Sequence, residues 1–164
     1  MATQIEAIIF NGGRSSAAIP EELRTVPLSA GFTMLPVTQE VLSRLEPTAV
    51  GDDRIPADWT LRQPVAALAR AMSADRPVLY IFSETSAGPG ISEAIAWHEG
   101  KLLYGPSGTC DLEIDFEPGY HLAPHDSAVN AGLRAIGVKA TDDRDEYAVV
   151  GLTRHRMTDD WLKG

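Results

Sequence analysis

Four carboxylates, Asp111, Glu113, Asp115 and Glu117, alternate with Leu112, Ile114 and Phe116 in the stretch DLEIDFE. A period of two is the pattern of a strand with one polar and one apolar face. Residues i and i+2 then share a face, roughly 7 Å apart. Like charges that close repel, so the row needs an offset. Solvent or cross-strand cations are one source; a basic partner, neutralising the row as it binds, is the other. The flanking chain is poor in cations: Lys101 is the only Lys or Arg between Arg76 and Arg134. Glycosidase-type catalysis needs two carboxyls across a cleft, which a row along one face does not provide. The chemistry offered here is electrostatic capture.

Other candidates are weaker as chemistry. Asp142 and Asp143 open the run DDRDE (142–146), and Glu84 opens the loop ETSAGPGISE (84–93). These three acids complete the expected partner-binding set. The loop has glycines and hydroxyls but fits neither the phosphate-binding loop nor the dinucleotide fingerprint. His121 and His125 lie four apart, yet Pro124 between them breaks the helix that would align both imidazoles. No ligand spacing of a structural metal site is present. Cys110 adjoins acids, which disfavour its thiolate. No serine sits in a nucleophile elbow. No cofactor, metal or catalytic residue is expected.

The elements that hold these residues follow from pattern. QIEAIIF (4–10) reads as a strand ending at the turn NGG. FTMLPV (32–37) reads as an extended segment kept near a sheet edge by Pro36. Thr38 caps a short helix striped by Val41, Leu42 and Leu45, and residues 47–58 form a loop. The best helix spans 60–75, with Pro64 in its first turn and Val65, Leu68, Ala69 and Met72 on one face. RPVLYIFS (76–83) is a buried strand. Residues 91–98 and 101–104 flank Glu99-Gly100 as a hairpin, and CDLEIDFE follows as a further strand. A second helix spans 126–138, capped by Asp126 or Ser127, with Gly137 at its C-terminal stop. Residues 145–152 fit helix or strand equally, and the tail docks through Trp161 and Leu162. The sum is one α+β domain over 1–164, with a mainly antiparallel sheet and helices packed on one face.

Bulk properties narrow the function classes. The 164 residues suffice for a sizeable core without disulfides, and with a single cysteine no intrachain disulfide can form. The net charge of −9 opposes binding to nucleic acid and to anionic membranes, and it suits a basic protein partner. No long apolar run or basic leader is evident, so a cytoplasmic protein is expected.

The stretches AIAWHEGKLLYGP, VNAGLRAIGV and DEYAVVGLTRHR give the C-terminal half a resemblance to small single-domain bacterial proteins, including immunity proteins encoded beside polymorphic toxins. That resemblance implies a small acidic inhibitor that blocks a cognate toxin domain, often a basic nuclease. It carries no shared catalytic residues. Trp97 and Tyr104 are candidate apolar anchors, although both residue types more often sit in cores.

Two other readings compete with such a binding module. One is a small enzyme with a polar pocket near residues 84–90, drawing on Glu84, Ser86, His98 and His121. The other is a structural subunit of a homo-oligomer.

Overall fold

A computed structural model of the chain describes residues 3–13, 18–85, 90–110 and 127–163, and the backbone alone for 120–122. Seven strands form one sheet: β1 (Thr3–Asn11), β2 (Val26–Pro27), β3 (Phe32–Pro36), β4 (Val78–Thr85), β5 (Ile91–His98), β6 (Lys101–Cys110) and β7 (Tyr120–Leu122). Their spatial order is β2-β3-β1-β4-β5-β6-β7. The first six pair antiparallel and β7 joins β6 in parallel. The α+β class with a mainly antiparallel sheet therefore stands.

Among the described residues, four α-helices accompany the sheet: α1 (Gln39–Ser43), α2 (Gln63–Met72), α3 (Ala128–Ala135) and α4 (Glu146–Val150). The arrangement on one face, expected from sequence, is corrected: they cover both faces. The cause is visible in β1, where both parities are apolar. Ile8 and Phe10 join Tyr80, Ile95 and Trp97 in a core beneath α2, through Val65, Ala66, Ala69 and Met72. Ile5, Ala7 and Ile9 join Leu79, Ile81, Ala94 and Ala96 in a second core beneath α3, through Val129 and Leu133. A strand apolar on both parities must be covered twice.

Local signals act where expected. Thr38 Oγ1 accepts the Val41 N–H at 3.4 Å and Ser127 Oγ accepts the Asn130 N–H at 3.1 Å, each capping a helix. The hairpin turn places Glu99 at φ 55° and Gly100 at φ 72°. Two positive φ values in a two-residue turn match the twist of the flanking strands, and glycine adopts one of them without strain. Within residues 145–152 the chain forms helix and not strand: Asp145 caps α4, accepting the Ala148 N–H at 2.9 Å, and Gly151 ends it in a left-handed turn. Trp161 is buried within a final 3-10 turn, Thr158–Leu162.

Candidate functional site

Of the acids singled out by sequence, Glu84 sits at one end of the sheet. Glu84 pairs with Ile91, and Ile91 pairs with Cys110, so the three form one row across β4, β5 and β6. Asp111 follows Cys110 directly in the chain. The acidic run Asp111, Glu113, Asp115 and Glu117, read above as a strand, lies outside the described residues. The strand that leads to it ends in the same row as Glu84. Glu84 is half-buried, whereas Asp142 and Asp143 are exposed in the turn that leads into α4.

Beside this row lies a cavity of about 460 Å³, walled by α3, α4 and the chain after α4. On the α3 side of the sheet, β1, β4 and β5 change composition as they reach it. Ile5, Ile81 and Ala94 give way to Thr3, Ser83, Thr85 and Ser92. Thr3 sits opposite Thr85 and Ser83 opposite Ser92. These four hydroxyls line the cavity and form no side-chain hydrogen bond among the described residues. Ile91, Val129, Leu152 and Tyr147 supply apolar lining. Burial, aided by the Asp145 charge, pushes the Tyr147 phenol up to about 12, so it stays protonated. The Asp145 carboxylate is already engaged, accepting from Ala148 N and, at 3.1 Å, from Asn130 Nδ2.

No protein family matches the chain, and no curated protein or solved structure compared with it is significantly similar.

A second polar cluster lies on the α2 side. Tyr80 Oη donates to Glu6 Oε2 at 2.7 Å, and both residues are buried. Glu6 and Glu93 flank Phe82 in register across three strands. Glu93 is 1% exposed and accepts the Thr60 N–H at 3.2 Å on both oxygens. Burial raises the Glu6 carboxyl to about 6; the Tyr80 hydrogen bond and the Arg62 charge oppose that rise, and Glu93 adds to it. Asp52, in the loop before α2, is 3% exposed and holds Arg54 at 2.6 Å and the Trp97 indole N–H at 3.1 Å. Its hydrogen bonds from Arg54 hold it well below the usual carboxylate range despite burial. Sequence reading missed these carboxylates: Glu6 and Glu93 each sit in a run of strand-forming residues, where burial leaves no compositional mark.

Several expectations are corrected. His98 ends β5 at the hairpin, seven residues from Ile91 and so roughly 23 Å from the 84–90 loop. It cannot join Glu84 in one pocket. Ser86 and the His121 side chain lie outside the described residues. Trp97 is fully buried and Tyr104 packs against the α3-side core, the more common place for both residue types. Arg154 donates to the Pro27 carbonyl at 3.0 Å and lies over the Trp161 ring. Among the described residues, no three potential metal ligands converge, and no helix is long and apolar enough to cross a membrane.

Proposed function

We propose that the chain is a non-enzymatic binding module of the immunity or inhibitor type. It would occlude a basic partner, such as a toxin nuclease domain, by presenting an acidic face. The residues proposed for it are Asp111, Glu113, Asp115 and Glu117, from the sequence pattern alone, together with Glu84, Asp142 and Asp143.

One observation carries this reading: most arginines among the described residues are spent on partners within the chain. Arg24 donates to the Leu162 carbonyl at 2.9 Å. Arg70 donates to Gly100 O at 2.7 Å and Gly51 O at 2.9 Å. Arg76 holds Gly13 O at 2.7 Å, and Arg144 holds Ala148 O at 2.6 Å. Arg134 serves the buried Glu146 at 2.9 Å. Arg76 also pairs with its neighbour Asp75 at 3.4 Å, and none of these guanidinium groups reaches Glu84, Asp142 or Asp143. Glu84, Asp142 and Asp143 accordingly make no ion pair among the described residues. Uncompensated charge of one sign steers association with the opposite sign and selects the partner.

The test is titration calorimetry of the full chain against a purified basic domain encoded by an adjacent gene, at low and high salt. Binding that weakens steeply with salt is expected, with a further loss of tenfold or more in the double variant Asp142→Lys/Asp143→Lys. Affinity indifferent to both salt and charge reversal would sink the reading.

A further inference from the structure

We infer that the cavity between the Ser/Thr end of the sheet and α3–α4 is a binding site for a neutral, pyranose-sized sugar. This inference does not depend on the binding-module reading. It starts from a change of composition that folding does not require. On one face of three adjacent strands, Ile5, Ile81 and Ala94 pack beneath α3, and the next positions along that face are Thr3, Ser83, Thr85 and Ser92. A face that merely met solvent would carry long charged side chains as readily as short hydroxyls. Here the short residues leave open volume, about 460 Å³, rather than filling it.

The lining has two characters, and a sugar ring has the same two. Hydroxyl pairs opposite one another on neighbouring strands stand about 5 Å apart at Cβ, close enough to bond adjacent hydroxyls of one ring. Each Ser or Thr both donates and accepts, as does each sugar hydroxyl. The Tyr147 ring, Val129 and Leu152 offer an apolar wall to the C–H face of the ring. Asn130 on α3 and Asp145 at the α4 cap add a polar edge whose positions are fixed by their mutual hydrogen bond. Asp145 stands in the same lining as Arg156, so the site mixes charges of both signs. That balance favours a neutral ligand over an organic anion.

The probe is a set of simple sugars, glucose, N-acetylglucosamine and glucuronate, titrated into the ¹⁵N-labelled full chain with amide shifts as the readout. Saturable shifts at Ser83, Ser92 and Asn130 with a neutral sugar are expected, at the millimolar affinity typical of an open polar pocket. Ser92→Val suits a strand and removes one hydroxyl pair; it should weaken binding at least tenfold with other resonances unmoved. Ser83→Ala provides the same test should Ser92→Val fail to fold. A methyl glycoside that binds as tightly as the free sugar identifies the ligand as a glycan end, and loss on methylation identifies a free sugar; either supports the site. No saturable shift with any probe overturns the inference. So does a response to glucuronate alone, or affinity unchanged in both hydroxyl variants.

Discussion

Tyr80 donates its phenolic hydrogen to Glu6 Oε2 at 2.7 Å, in the apolar core that includes Ile8, Phe10, Ile95 and Trp97. Burial of Glu6, only partly offset by this hydrogen bond, makes stability depend on pH in an unusual direction. The Glu6 carboxyl rises from an ordinary 4.5 to about 6 on folding, so the folded chain holds its proton more tightly than the unfolded one. The contribution is fully favourable below 4.5 and is lost as pH rises through about 6. Its size is about 2 kcal/mol. Glu6→Gln keeps an acceptor for Tyr80 and removes the titration. Thermal unfolding followed from about pH 5 to about pH 8 should show the wild-type stability falling and the variant nearly flat across this window. A wild-type curve that rises over the same range would contradict the assignment.

Asp52 satisfies four donors at once: the Arg54 backbone N–H, its Nε and Nη2, and the indole of the fully buried Trp97. Removing the acceptor leaves the indole N–H in the core without a partner, and the cost of an unmet buried donor exceeds that of the bond itself. Asp52→Ala is expected to lower stability by about 3 kcal/mol, read from urea denaturation. Asp52→Asn retains one oxygen for Trp97 and should recover part of that loss.

What the sequence made legible were features whose cause is local. The caps Thr38 and Ser127, the Glu99-Gly100 turn and the stripes Val65-Leu68-Ala69-Met72 and Val129-Leu133-Ile136 all depend on neighbours within four residues. The side on which each helix packs was not legible. It depends on which parity of β1 faces which helix, and β1 is apolar on both. The hydroxyl end of the sheet was likewise hidden. Thr3, Ser83 and Ser92 are scattered along the chain, and only the register β1–β4–β5 assembles them. Glu6 and Glu93 look like any polar residue of an alternating strand until α2 and the preceding loop cover them.

Gly51 fixes how closely that loop approaches α2. A Cβ built there would overlap Ala66 and the Ala67 amide, and Arg70 and Gln63 bond the same short stretch of backbone. Neither helix backbone nor a buried alanine can yield. Gly51→Ala should therefore cost about 3 kcal/mol through overpacking. Gly13→Ala, where a Cβ would meet nothing within 4 Å, is the control and should stay within about 0.5 kcal/mol of wild type. Similar unfolding midpoints for the two variants would remove the close approach from the account of this loop.

Arg154 tests whether the arginines act as tethers or as surface charge. Its guanidinium reaches the Pro27 carbonyl at 3.0 Å and lies 5.1 Å from the centre of the Trp161 ring, joining the C-terminal turn to the edge of the sheet. A bond to a neutral carbonyl and a contact with a ring face depend weakly on ionic strength, whereas an exposed ion pair is screened by salt. Arg154→Ala should cost about 1 kcal/mol, and the cost should be the same at low and high salt. Arg154→Lys should recover little of it, because an ammonium lacks the planar fork that spans both contacts. A destabilisation that vanishes in high salt would instead mark Arg154 as a partner of the surface acids. The remaining arginines would then need the same re-examination, since the case for an uncompensated acidic face depends on their being occupied elsewhere.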